Sequence, residues 1–298
     1  MAEPFSRRKL LRGAAGLSAA TALSSVANAA PAPPRRMADA GWCWDGQSTY
    51  VPSLSIFGAG EGTKWFGLRR CCFMYHPNTA LAMDKLREME EIVCEISKWE
   101  CATVEIPGWK GAPAVQHRLD GRIERKCREA EIVSRLSLKY SNVSGAIDDD
   151  LYGKIKSEHI SPDRYAAVHR ALQNANPKLK HWAVVYSHEL KREYWSGFTD
   201  MLDVVTLWVW ASKDLVNLDR YVEQCGLIFP GKPINLGCYV RDYTLRAGVP
   251  MELLKLQWEF VRKAMTDGRI QGYSILAGCL IEMHPQEATW IRDVIRAN

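Results

Sequence analysis

Seven short apolar runs, most of them separated by long helical patterns, constrain this chain more than any other feature. The runs are Leu68–Tyr75, Cys101–Ile106, Val143–Ile147, Trp182–Ser187, Val204–Val209, Ile234–Val240 and Gln271–Ala277. The helical patterns cover roughly residues 80–98, 121–139, 162–174, 215–225, 251–265 and 287–297. Strand–helix alternation builds a parallel sheet, either closed as a (β/α) barrel or open and doubly wound. Three observations favour an α/β fold of the TIM-like barrel type, with seven or eight parallel strands. The runs are near-continuously apolar, as strands buried on both faces must be. No glycine-rich phosphate loop follows an early strand, so a dinucleotide-binding sheet has no support. Polar and aromatic residues gather at the C-terminal ends of the runs, where barrels carry their chemistry. An eighth strand is expected at Ser53–Phe57.

Several helix boundaries are written in the sequence. Ser161-Pro162 places a capping serine before a proline at the first helical position. Pro250 likewise opens a helix, while Asn176-Pro177 and Asp267-Gly268 close two others.

Residues 1–29 have a separate purpose. Ser6-Arg7-Arg8-Lys9-Leu10-Leu11 precedes an apolar, small-residue run from Ala14 to Ala22 and an Ala27-Asn28-Ala29 cleavage site. A charged start, a short apolar stretch and an A-x-A site define a removable export signal. Its arginine pair resembles the twin-arginine (Tat) type, which implies the Tat export machinery as a partner and a periplasmic or secreted location in a bacterium. The expected organisation is a signal peptide at 1–29, a Pro-rich linker at 30–45 and a single barrel domain at 46–298. No other stretch is apolar enough to span a membrane. The signal holds four cations against Glu3, a net +3 of the formal +5. The remainder is left near +2, without the basic excess of a nucleic-acid partner.

Nine cysteines make an odd count, which argues against a complete disulfide framework. None has zinc spacing, and neither a metal nor a cofactor is expected.

The candidate site residues lie at the strand ends. They include His76, Glu105 with Trp109, Asp148-Asp149-Asp150, His188-Glu189, Trp208 and Trp210, Tyr239 and Asp242. Arg241, Glu282 and His284 share such positions. Alternation along strands sharpens the choice. Glu105 is expected to point into the barrel mouth, opposite Val104 and Ile106. Asp148 is expected to face the lumen with Ser144 and Ala146, and Thr206, Trp208 and Trp210 to face in. Three adjacent carboxylates repel one another, so at least one should hold its proton, as a general acid requires. The same aspartates also suit a turn, or pairing with Lys154 or Lys156. Asp148 or Asp149 as acid, with Glu189 or Glu105 as nucleophile or base, forms the apparatus of glycoside hydrolysis. Trp109, Trp208, Trp210 and Tyr239 are expected to form an aromatic platform for sugar rings. His76, His188, Asp150 and Asp242 are expected to meet sugar hydroxyls. Trp99, Trp182, Trp258 and Trp290 are read as core, at helical or helix-facing positions.

The segments Ile147-Asp148-Asp149-Asp150, Val184 to Glu189, Asp203 to Trp210 and Leu236 to Tyr243 resemble exported bacterial TIM-barrel proteins that are glycoside-hydrolase-like. The resemblance spans roughly residues 65–298 and implies a carbohydrate substrate. Two other readings remain beside an exported glycosidase. One is a metal-dependent barrel isomerase or hydrolase using Asp148, Glu189, His188 and Glu105 as ligands. The other is a non-catalytic, carbohydrate-binding barrel.

Overall fold

The computed structural model describes residues 36–46, 55–105 and 113–298. The expected signal peptide and Trp109 lie outside these residues. Strands β1 (Gly41–Trp44), β2 (Arg70–Phe73) and β3 (Glu91–Glu95) are followed by a hairpin of β4 (Trp99–Glu105) and β5 (Pro113–Leu119). Next come β6 (Val143–Asp148), β7 (Lys180–Tyr186), β8 (Val204–Trp208) and β9 (Ile234–Tyr239). A short antiparallel pair, β10 (Arg241–Asp242) and β11 (Ala247–Gly248), precedes β12 (Gly272–Leu276). Apart from the two antiparallel pairs, the strands close into one barrel in the order β1-β12-β9-β8-β7-β6-β3-β2. Every neighbouring pair in it is parallel. This is the expected α/β TIM-like barrel, with eight strands.

The helices are α1 (Met37–Ala40), α2 (Ala59–Trp65), α3 (Ala80–Lys85), α4 (Ile123–Lys139), α5 (Leu151–Ser157), α6 (Pro162–Gln173), α7 (Arg192–Trp195), α8 (Leu218–Ile228), α9 (Met251–Thr266) and α10 (Pro285–Ala297). Their ends follow local chemistry. Ser161 accepts a hydrogen bond from the Arg164 amide at 3.3 Å and caps α6. Gly268, at φ +70°, turns the chain out of α9 through the left-handed region that glycine adopts without strain.

Two strands differ from expectation. Cys101–Ile106 is not a barrel strand, because β4 pairs antiparallel with β5 in a separate hairpin. The third barrel strand is instead β3, inside the stretch read as helix from Ala80 to Lys98. The helix stops at Lys85, and Ile92, Val93 and Cys94 are fully buried. A five-residue run buried on both faces has no alternation to distinguish it from a helix segment. The eighth strand is β1, not Ser53–Phe57, so the barrel begins inside the stretch read as linker. Residues 55–57 are not a strand, and 53–54 lie outside the described residues.

The barrel interior is filled by tryptophan. Trp42 on β1 meets Trp182 on β7 edge-to-face, with ring centroids 4.9 Å apart. Trp44 meets Trp208 on β8 in the same way, also at 4.9 Å. These strands are not neighbours, so each contact crosses the lumen. Trp182 therefore faces inward, not toward the helices. Gly237 on β9 makes room for this layer, since a Cβ there would run into the Trp208 ring. Outside the barrel, Trp258 of α9 packs edge-on against Tyr273 of β12 at 5.0 Å.

Candidate active site

A cavity open to solvent lies at the C-terminal mouth of the barrel. Strand ends build it: Trp44 closes β1, Asp149 follows β6, Tyr186 ends β7, Trp208 ends β8 and Tyr239 ends β9. This is the end at which parallel barrels gather polar groups from several strands.

The alternation of β6 is one residue out of step with expectation. Asp148 faces the helix layer and Asp149 lines the cavity. Asp148 is fully buried, ion-paired with Lys126 of α4 and hydrogen-bonded by the Ser97 hydroxyl. The Tyr165 hydroxyl of α6 donates to its second oxygen at 2.8 Å. Lys126 is itself completely buried, and a buried ammonium needs an anion beside it. Asp148 supplies that anion, which fixes the face it occupies. Gly145 leaves room for the neighbouring strand, since a Cβ there would run into the Lys180 backbone carbonyl of β7.

Asp149 is 6 % exposed. Burial, followed by the nearby carboxylates of Asp150 and Glu95, pushes it well above the usual carboxylate range. Both effects favour its protonated form. One of its oxygens accepts the Asp150 amide at 3.1 Å. Asp150 also lines the cavity, with its backbone in the left-handed region at φ +49°. Its carboxylate accepts a 2.8 Å hydrogen bond from the Tyr186 hydroxyl. Burial keeps that phenol protonated, so it remains a donor.

Glu95 is a site-proximal carboxylate that the sequence reading missed. It ends β3, fully buried. One oxygen accepts the Tyr75 amide at 2.6 Å, and the other has no partner. Burial pushes it up to about 7 against the opposing pull of Lys98, whose Nζ lies 3.9 Å away. A lone glutamate after Ile92-Val93-Cys94 was the available signal, hidden by the helical assignment.

Other expected site residues have structural partners. Glu189 accepts the Tyr186 amide at 3.0 Å and is not among the cavity-lining residues. Burial pushes it up to about 7. Glu105 lies on the hairpin, so barrel alternation does not govern it. His76 is largely exposed and pairs with Asp45 at 3.1 Å. The Asp45 hydrogen bond raises its imidazole above the ordinary value. His188 is exposed and stacks on Tyr186 with centroids 5.4 Å apart. Burial alone would raise Asp242, but hydrogen bonds from Ser212, Thr244 and Leu245 outweigh it and hold the carboxyl well below its usual range. Asp242 thereby organises the loop after β9. Arg241 contacts the His284 ring nitrogen at 3.1 Å, and Glu282 accepts the Ser55 hydroxyl at 2.6 Å. Among the described residues no three His, Cys, Asp or Glu side chains are grouped to hold a metal ion.

The aromatic residues do converge. Trp208, Trp210 and Tyr239 all line the cavity. Trp208 is buried, whereas Trp210 is 42 % exposed and stacks on Tyr243 at 5.4 Å. Tyr186 and Tyr239 each meet Trp210 near a right angle. Trp44, Tyr75, Tyr186 and Tyr243 were not singled out as site residues. The last two stand in the segments that carry the resemblance.

The chain matches no family model and no curated protein sequence. Solved structures share its fold. A β-glucuronidase of Bacteroides uniformis is 10% identical, with a TM-score of 0.53, over 82% of this chain and 30% of that one. The chain thus spans less than a third of that enzyme. The glycoside hydrolase domain of PgaB (BpsB) from Bordetella bronchiseptica is 11% identical, with a TM-score of 0.50, over 86% of this chain and 99% of that one. Active domain 2 of a thermostable chitinase from Pyrococcus furiosus is 12% identical, with a TM-score of 0.53, over 89% and 96%. At these identities the likeness is one of architecture: a closed, eight-stranded parallel barrel of the kind glycoside hydrolases use.

Proposed function

We propose that the chain is an exported glycoside hydrolase, with Asp149 as its general acid. One observation carries the reading: two adjacent carboxyl groups, one of them with its charged form disfavoured by burial, line an aromatic-walled cavity at the barrel mouth. Hydrolysis of a glycosidic bond needs a proton for the departing oxygen and negative charge near the ring, which becomes cationic as the bond breaks. Asp149 is suited to the first role, because burial and its neighbours favour its protonated form. Asp150 is suited to the second, held in place by the Tyr186 hydroxyl. Trp210, with one exposed edge of the cavity wall, offers a surface on which sugar C–H faces pack. Export rests on residues 1–29, read as a Tat-type signal, and places the enzyme in the periplasm or outside the cell.

The test is release of new reducing ends from a panel of bacterial and plant polysaccharides. The signal-free protein is compared with Asp149→Asn and Asp150→Asn. Cleavage that Asp149→Asn lacks while its melting temperature is unchanged supports the reading. Full activity in both variants overturns the assignment. Sugar binding with no turnover on any substrate replaces it with the carbohydrate-binding barrel.

A further inference from the structure

The cavity is charged on one side only. Among its described lining residues are two acidic groups, Asp149 and Asp150, and no lysine, arginine or histidine. The cations nearby are engaged elsewhere. Lys98 donates to the His76 carbonyl at 2.6 Å beside Glu95, Lys126 is paired with Asp148, and Arg241 is held at His284. A uronic acid or sulfated sugar would bring a further negative charge against Asp150 with no counter-ion among the described lining residues, which is unfavourable in a partly desolvated cleft.

The walls carry a complementary signal. Tryptophan and tyrosine rings present negative faces, and the cavity has three tryptophans and four tyrosines. Aromatic faces beside carboxylates attract a desolvated cation. A second, independent feature asks for hydroxyl oxygen. Trp44 is 3 % exposed and lines the cavity, yet its buried indole N–H has no hydrogen-bond partner. The indole N–H of the adjacent Trp208 is satisfied by the Thr206 hydroxyl at 3.2 Å. An unpaired buried donor costs stability until a ligand oxygen reaches it.

We propose that the cavity selects an amino sugar whose amine is free and protonated. The ammonium group lies against Asp150 and the Trp210–Tyr243 wall, and a ring hydroxyl oxygen accepts the Trp44 indole N–H. This rests on the reading of the cavity as a sugar-cleaving site. It adds the chemical class of the sugar. N-acetylation removes the charge and adds bulk, so the acetylated sugar is the discriminating control.

Calorimetric titration of the full signal-free chain, at mildly acidic pH, decides the matter. The probes are glucosamine oligomers, their N-acetylated counterparts and galacturonic acid oligomers. Glucosamine oligomers are expected to bind about tenfold more tightly than the acetylated ones, the size of a desolvated cation–π contact with its carboxylate. Galacturonic acid oligomers are expected to bind weakest. Asp150→Asn should abolish the preference, and Trp210→Leu should reduce it. Trp44→Phe should weaken both glucosamine forms equally. Equal or tighter binding of the acetylated or acidic oligomers by the wild type overturns the proposal, whatever the variants do. Turnover is scored separately. Cleavage of neutral sugars without amine preference removes this inference and leaves the hydrolase. Amine-selective binding without cleavage does the reverse.

Discussion

Asp148 and Asp149 turn to opposite sides of the barrel wall. The first is buried against Lys126 and Tyr165 in the helix layer, and the second lines the aromatic cavity. One residue of strand alternation therefore separates a structural ion pair from the carboxyl proposed as proton donor.

The two aspartates should respond differently to the same substitution. Asp148→Asn leaves the Lys126 ammonium buried beside a neutral amide, and is expected to cost about 3–5 kcal/mol of stability. Asp149→Asn replaces a carboxyl whose charged form burial disfavours with a neutral group of the same shape, so the melting temperature should hardly move while turnover is lost. Chemical denaturation and reducing-end assays on both variants check the pair. Comparable loss of stability in both would place Asp149 in the structure rather than the chemistry.

Activity should fall at the alkaline end of the pH range. Asp149 donates only while protonated, and its carboxyl is held well above its ordinary value by burial and by Asp150 and Glu95. Asp150→Asn removes one of the charges holding the proton in place, so the alkaline limb of any residual activity should move to lower pH. A limb that stays fixed in this variant would assign the acid elsewhere.

Glu189 makes the fold sensitive to pH in a defined direction. Burial raises its carboxyl from the ordinary 4.5 to about 7. The native state therefore binds more protons than the unfolded chain between these values, and this group's contribution to stability declines as pH rises across that window. Above about pH 7 the penalty is complete. Glu189→Gln keeps an acceptor for the Tyr186 amide and removes the charge. It should raise the melting temperature at pH 8 relative to wild type by a few degrees, roughly 1–2 kcal/mol. At pH 4 the two proteins should melt together. A stabilisation that is the same at both values would contradict the assignment.

The two tryptophans of β8 and its following loop should separate binding from folding. Trp210 is partly exposed, so Trp210→Ala is expected to weaken substrate binding by about tenfold with little loss of stability. Trp208 is buried against Trp44 and Tyr239, and Trp208→Ala is expected to cost about 3–5 kcal/mol. KM measurements beside thermal melts check both.

Gly237→Ala tests the packing under the cavity. The added methyl would collide with the Trp208 ring, whose position is set by Trp44 across the lumen. A loss of about 1–3 kcal/mol is expected, with impaired sugar binding because the cavity floor shifts. A wild-type melting curve would mean that the lumen tolerates the shift.

The sequence by itself determined the barrel class. Near-continuous runs such as Val204–Val209 and Ile234–Val240, set between amphipathic helices, have few other ways to bury both faces. It also determined the cap at Ser161-Pro162 and the gathering of carboxylates and aromatic rings at strand ends, since these depend on neighbours in the chain. Tertiary structure alone decided which strands close the barrel. β1 and β3 are four and five residues long, too short for a period to show, and only their partners across the sheet make them strands. It alone decided that Asp149 and not Asp148 reaches the cavity, because the deciding partner is Lys126, 22 residues away on α4. It brought Trp44 and Trp208 together across the lumen, where no local pattern records the contact. Local chemistry is legible along the chain, whereas the face a side chain takes is set by what is buried opposite it.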